Sequence, residues 1–249
     1  MVALGLLLGT ASCLAWFLSA LAGGGSALIL IPAVSVGVGP AAVPPAITVG
    51  MLIGNGHRVG LYWQGIDWHV TRWYLPGAIA GAIGGAFVFS RLDADRLGVL
   101  LGAFLLLSFA SYRWQQTLPC LQARAWHFLP AGFAYAFLSG VVGSTGPLLN
   151  PFYLSYGLAK ERLIATKSAN ITAVHLTKAL AYAAFGTLSW PYWGYGLILG
   201  AGAIPGNWLG RRALQNVAEH RFQQIVISFV AFSGALLLWQ QRDWWAFWL

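Results

Sequence analysis

Long apolar runs, broken mainly by glycine, proline and short charged clusters, dominate the chain from end to end. In a bilayer every backbone N–H and C=O must be satisfied within the chain, so only helices and closed barrels span it. A barrel strand alternates apolar and polar residues over about ten positions, whereas these runs are continuously apolar. Charge leads to the same place. Lys, Arg, Asp and Glu make up 8% of the 249 residues, against about a quarter in a soluble domain, so most of the surface is expected to face lipid. The predicted fold is an all-α polytopic membrane protein. Several of the 13 tryptophans stand at run ends (Trp63, Trp68, Trp73, Trp190, Trp193, Trp239, Trp244, Trp245), where an interfacial aromatic belt lies.

Ten apolar segments are read from the sequence. The first five are 2–22, 26–38, 42–63, 70–90 and 95–113; the second five are 125–141, 146–157, 163–188, 190–209 and 218–240. A full crossing takes about 20 residues, so 26–38 and 146–157 are too short to cross alone. The halves resemble each other at a shift of 120 residues. Phe17-Leu18-Ser19 matches Phe137-Leu138-Ser139, Gly23 matches Gly143, Thr48 falls on Ser168 and Arg58 on Lys178. Gly81-Ala82-Ile83-Gly84-Gly85 echoes Gly202-Ala203-Ile204-Pro205-Gly206 one residue out of step, and a shift of 118 instead pairs His57 with His175. The expected organisation is one integral membrane domain made of two repeats, 1–120 and 121–249. With about five segments in each half, the repeats are inverted relative to one another.

Basic residues set the expected topology. The loops at 64–72, 114–124, 158–162 and 210–217, with their flanks, hold Arg72, Arg113, Arg124, Lys160, Arg162, Arg211, Arg212 and Arg221; the opposite side holds Arg91, Arg96 and Arg242. An excess of Lys and Arg stays cytoplasmic, which puts both termini in the periplasm. The net charge of +8 is accounted for by this bias, and no basic stripe suggests nucleic acid. Cys13 and Cys120 form no framework and read as ordinary thiols. Thr10-Ala11-Ser12-Cys13 faintly resembles a lipoprotein cleavage site, but no Lys or Arg precedes it as a signal peptide's n-region requires; residues 2–21 are expected to belong to the mature structure.

Three cations, Arg58, Lys167 and Lys178, fall inside apolar segments, while all six acids (Asp67, Asp93, Asp95, Glu161, Glu219, Asp243) lie in loops or at segment ends. An ionisable group at membrane depth costs several kcal/mol, about 3 or more, and is normally paired or faces a wet cavity. These cations therefore reach loop acids, snorkel to headgroups, or meet a bound anion. Arg58 and Lys167 stand about five residues, roughly 8 Å, from an expected cytoplasmic end, within snorkelling reach. Lys178 lies deeper. Lys167, Asn170, Ile171, Val174, His175 and Lys178 follow at spacings of three, one, three, one and three, so they share one helix face. Thr48, Asn55 and Arg58 form a shorter polar stripe in the first half. Thr, Asn and His on such stripes also serve helix–helix hydrogen bonding.

The two short segments follow breaks: Ala22-Gly23-Gly24-Gly25-Ser26 and Gly143-Ser144-Thr145-Gly146-Pro147. A helix starting at mid-membrane offers free N–H groups and a positive dipole end to an anion, and broken helices at matching positions of two repeats point to a transporter's binding site. Gly23, Gly24, Gly25, Ser26, Asn55, Arg58, Ser144, Thr145, Gly146, Asn170, His175 and Lys178 are the candidate substrate-binding residues. No catalytic or metal-ligating set stands out, and no cofactor is called for.

The Ala22-Gly23-Gly24-Gly25 break, the Leu28–Pro32 run after it and the second-half echo Gly143–Pro151 resemble the sulfite and organosulfonate exporter family, the TauE/SafE type. The resemblance covers nearly the whole chain. It implies transport of a small sulfur-containing anion, sulfite-like or an organosulfonate, across the bacterial inner membrane; the second-half break departs from the pattern in carrying two hydroxyls. From the residues alone the cargo is an anion, carried by alternating access between the two breaks and held by helix N-termini, hydroxyls and Lys178 or Arg58. A passive anion channel is one alternative. An intramembrane hydrolase using Ser19, Ser139 or Ser144 with His175 is another, though no Gly-x-Ser-x-Gly context supports it. The partners expected are the anion and the lipid bilayer, with no nucleic acid; oligomeric state is left open.

Overall fold

The computed structural model describes residues 2–21, 25–115, 123–145, 148–158, 160–213 and the isolated positions 235, 238 and 239. Among these the chain is helix and turn, with no strand: α1 (Val2–Leu21), α2 (Ser26–Gly37), α3 (Val43–Tyr62), α4 (Trp68–Phe89), α5 (Ala94–Gln115), α6 (Phe128–Val142), α7 (Asn150–Ser155), α8 (Lys160–Ala184) and α9 (Trp190–Ala213). The apolar runs located these helices to within a few residues. The segment predicted at 218–240, and with it Cys120, lies almost wholly outside the described residues.

Local chemistry sets the boundaries. Pro44 and Pro45 occupy the first turn of α3, where a missing N–H leaves no intrahelical bond unmade. Asp67 caps α4, its carboxylate accepting from the N–H groups of His69 and Val70 at 3.1 and 3.2 Å. The segment predicted to run to 188 stops at Ala184 because Gly186 turns left-handed, φ +71°, and the Thr187 N–H closes back on the Tyr182 carbonyl at 2.9 Å, as helix C-termini commonly do. The short helix expected over 146–157 is shorter still, Asn150–Ser155.

Packing rests on glycine. On α4, Gly77, Gly81 and Gly85 each face α6 so closely that a Cβ would strike the backbone carbonyls of Leu129, Phe133 and Phe137. On α9, Gly202 and Gly206 meet the carbonyls of Gly9 and Cys13 on α1 in the same manner, and Gly210 packs against the Ala20 side chain with the Phe17 carbonyl 3.1 Å from an added Cβ. Each contacted residue on α6 stands 120 positions after its counterpart on α1. Small residues at four-residue spacing let membrane helices approach at backbone distance, where dispersion and weak polar contacts replace a hydrophobic drive. Helix α3 packs on α8 and α9, and α8 on α4, which places the two polar stripes against each other.

The surface is inverted relative to a water-soluble protein. Leu6, Leu7, Leu14, Leu107, Leu180 and Trp190 are 59–85% exposed, while Ser12, Thr48, Ser139, Ser144, Thr166, Asn170, His175 and Lys178 are wholly buried. An apolar exterior on this scale is stable only against lipid or a partner. Within the described residues two stretches, Ala3–Ala20 and Ala125–Val142, are long and apolar enough by composition to cross a membrane, fewer than the full-length segments expected. The other long helices carry polar groups and glycines that lower their average; in α8, Lys167, Ser168, Asn170, His175 and Lys178 all turn inward.

Candidate functional site

The stripe predicted on α8 faces the interior: Lys167, Asn170, Ile171, Val174, His175 and Lys178 are at most 7% exposed, whereas Leu176 and Leu180 on the opposite face are 51% and 66% exposed. On α3, Thr48, Asn55 and Arg58 are likewise buried. Between these helices, α1 and α9 lies a pocket lined by Ser19, Ala20, Asn55, Arg58, Tyr62, Ile164, Lys167, Ser168 and Asn207. Among the described residues two of the lining side chains are cationic and none is acidic.

Neutral groups hold the guanidinium of Arg58. Its Nε donates to Asn207 Oδ1 at 2.6 Å, and its second arm donates to the Trp16 carbonyl and the Ser19 hydroxyl, each at 3.3 Å. It also stacks 4.6 Å from the Trp16 ring, an arrangement that stabilises a desolvated cation. Asn207 is held in its turn, its amide donating to the Gly54 carbonyl at 2.9 Å. Across the pocket, Lys167 Nζ donates to Asn150 Oδ1 at 2.6 Å. Asn55 donates back to Met51 O of its own helix at 2.9 Å.

Lys178 forms a second centre and is not among the residues lining the pocket. Its ammonium donates to the Ser139 hydroxyl at 3.1 Å and to the Gly143 carbonyl, with the Tyr182 ring 5.8 Å away. Gly143 ends α6 at φ +98°, a conformation that favours glycine. Lys178 thus binds the backbone of the break itself. Among the described residues neither Arg58 nor Lys178 pairs with a loop acid; Asp67 pairs instead with Arg162 at 3.1 Å. Arg58 with Ser19 and Lys178 with Ser139 are the same type of pair 120 residues apart.

The remaining candidates separate into groups. Gly25 caps α2 at φ +108°, and Ser26 donates weakly to the Met51 sulfur at 3.6 Å. Ser144 and Thr145 are buried with hydroxyls that find no hydrogen-bond partner among the described residues, as are both ring nitrogens of His175; His175 therefore bonds none of the serines that a hydrolase would require. Asn170 donates to the Tyr153 hydroxyl at 2.9 Å. Gly23, Gly24 and Gly146 lie outside the described residues. The structure does not gather all the candidates around one cavity: Arg58 and Asn55 share the pocket with Lys167, while Lys178, Ser144, Thr145, Asn170 and His175 sit around the second break.

Sequence reasoning singled out Lys167 as a buried cation but left it outside the substrate-binding set, considered Ser19 only for a hydrolase, and passed over Asn207. For Ser19 a signal existed, because the shift that superposes Arg58 on Lys178 also superposes Ser19 on Ser139. Asn207 had none, standing alone in a glycine-rich helix.

A family model described as "Sulfite exporter TauE/SafE" matches residues 8–237. No curated protein matches the chain, and no solved structure does.

Proposed function

The chain belongs to the sulfite exporter TauE/SafE family, and from that premise we propose that it carries a small sulfur oxyanion or organosulfonate across the bacterial inner membrane by alternating access. The observation that carries the reading is the pocket between α1, α3, α8 and α9, lined by Arg58, whose guanidinium is held among the described residues by neutral groups alone, with Lys167 facing the same space. A buried guanidinium is strongly disfavoured without a counter-charge, and a bound anion supplies one. Arg58 and Lys167 receive the anion at the pocket; Lys178, tied to the Gly143 carbonyl, couples the occupied site to the break between α6 and α7.

Two inverted repeats, 1–120 and 121–249, provide the moving parts. Their support is the pair of glycine stripes with contacts 120 positions apart and the matching Arg58–Ser19 and Lys178–Ser139 bonds. Rocking of one repeat against the other opens the site to either side. Both termini face the periplasm in this reading, which the excess of Lys and Arg in the opposite loops supports.

The test is a thermal-shift titration of the purified protein with sulfite, thiosulfate, methanesulfonate, sulfate and acetate, followed by flux in proteoliposomes. A sulfur anion should raise the melting temperature with a concentration dependence set by mass action, and flux should saturate and show exchange. Absence of stabilisation by every anion defeats the reading; flux that never saturates replaces the carrier with a channel.

A further inference from the structure

Beside the cationic pocket, the second half buries an unusual concentration of hydroxyls. Tyr74 of α4, Tyr135 of α6 and Tyr153 of α7 are 0–2% exposed, although tyrosine in a membrane protein is favoured at the water interface. The Tyr74 and Tyr135 rings lie 6.5 Å apart, and each of the three phenols is within electrostatic reach of the other two. The Tyr135 hydroxyl sits beside those of Ser144 and Thr145, yet no pair among these three has hydrogen-bond geometry. Asn170 closes the group, its amide donating to the Tyr153 hydroxyl.

Among the described residues, the Tyr74, Tyr135, Ser144 and Thr145 hydroxyls and Asn170 Oδ1 are all without a partner. A buried hydroxyl nearly always finds one, and leaving it unmade costs about 1–3 kcal/mol. Four of these atoms, the hydroxyls of α4, α6 and the break after α6, amount to a set of donors waiting for acceptors. The donors are neutral, so the group they suit carries several oxygens and little charge, since the penalty for burying an ion rises steeply with its charge. Turning the Asn170 amide over lets the Tyr153 hydroxyl donate to Oδ1 and frees the NH2 group, which adds a donor and leaves the conclusion unchanged.

The placement continues that of the pocket. Lys167 lines the pocket and bonds Asn150 at the start of α7, and Asn170, one turn further along the same face of α8, bonds Tyr153 of α7. We propose that Tyr74, Tyr135, Tyr153, Ser144, Thr145 and Asn170 form a hydroxyl cage that binds the oxygens of a singly charged sulfur oxyanion handed on from the Arg58–Lys167 pocket, and that this cage selects monoanions over dianions. The proposal rests on the anion-carrier reading above.

The experiment titrates purified protein with methanesulfonate, a monoanion, and sulfate, a dianion at neutral pH, in the wild type, Tyr135→Phe, the double variant Ser144→Ala/Thr145→Val, and Ser35→Ala. Ser35 also has a buried hydroxyl without a partner among the described residues, but it lies on α2. Wild type should prefer methanesulfonate. Tyr135→Phe should weaken methanesulfonate about tenfold or more, as the loss of a hydrogen bond to a charged group does, without lowering the ligand-free melting temperature; Ser35→Ala should leave affinity unchanged. If Tyr135→Phe does not fold, the double variant carries the test with the same expected loss.

Wild-type affinity retained in the cage variants overturns the cage while leaving the carrier standing. A fall in ligand-free stability with unchanged affinity also overturns it, because the hydroxyls then bind structural water. Sulfate bound as tightly as methanesulfonate overturns the selectivity. A wild type that binds neither anion nor sulfite defeats the carrier reading itself, and the cage with it.

Discussion

Lys178 Nζ donates to the Ser139 hydroxyl at 3.1 Å in a place where both residues are wholly buried. Among the described residues no carboxylate stands against this ammonium; its other partner is the Gly143 carbonyl. An ion so placed is retained against its own desolvation penalty, and here the penalty falls on the residue joining α8 to the break after α6.

Lys178→Met removes the charge but keeps the length of the side chain. The Ser139 hydroxyl already lies 3.4 Å from the Gly143 carbonyl and takes over as its donor, so stability should stay within about 1 kcal/mol of wild type or rise. Anion flux in proteoliposomes should fall by about tenfold or more, corresponding to about 1.4 kcal/mol. Wild-type flux from Lys178→Met removes this residue from the transport machinery.

Asn207 governs the charge of the pocket through Arg58. In Asn207→Asp a carboxylate takes the place of the amide oxygen 2.6 Å from Arg58 Nε and supplies a counter-ion internally. Anion affinity should drop about tenfold or more while the protein stays folded. Asn207→Ala leaves both the guanidinium and the Gly54 carbonyl short of a partner, and should cost about 2–4 kcal/mol. The two melting temperatures and a sulfite titration separate the effects. Tighter binding in Asn207→Asp contradicts an anion site at Arg58.

Helix positions were legible because lipid imposes one rule along the whole chain: α3, expected over 42–63, spans Val43–Tyr62, and α5, expected over 95–113, spans Ala94–Gln115. The inward turn of the α8 stripe was legible for the same reason, since Lys, Asn and His on one face must leave lipid. The partners of the cations were not. Arg58 is held by Trp16, Ser19 and Asn207 from α1 and α9, and no periodicity within one helix reports which neighbour it meets. The phenols of Tyr74, Tyr135 and Tyr153 converge from three helices; each alone reads as an interfacial aromatic or a core filler. The end of α8 was overrun because the apolar run continues past Gly186, whose left-handed turn was the signal to stop.

The glycine stripes give a paired stability test. At Gly81 an added Cβ meets the Phe133 carbonyl, and at Gly206 the Cys13 carbonyl; backbone cannot swing aside as a side-chain tip does. Gly81→Ala and Gly206→Ala should each destabilise by about 1–3 kcal/mol. Exposed Gly60 of α3 has open space around it, so Gly60→Ala should be neutral or stabilising by up to about 1 kcal/mol. Thermal melts in one detergent rank the three. If Gly206→Ala melts with wild type while Gly81→Ala does not, the α1–α9 and α4–α6 crossings are not equivalent and the repeat symmetry loses its main support.

Asp67 does two jobs that substitution can separate. One carboxylate oxygen caps α4 through the N–H groups of His69 and Val70, and the other accepts from exposed Arg162 of α8 at 3.1 Å. Asp67→Asn keeps an oxygen for the cap and loses the ion pair, which for an exposed arginine is worth about 0.2–1 kcal/mol. Asp67→Ala loses the cap as well, a further cost of about 1 kcal/mol. The small difference between wild type and Asp67→Asn should vanish in 1 M salt, where the screening length is about 3 Å, while the deficit of Asp67→Ala persists. A salt-independent loss in Asp67→Asn would mean that the carboxylate acts through the cap rather than through Arg162. The tie between the α3–α4 loop and α8 would then rest on the backbone N–H of Asp67, which donates to Thr166 Oγ1 at 2.9 Å.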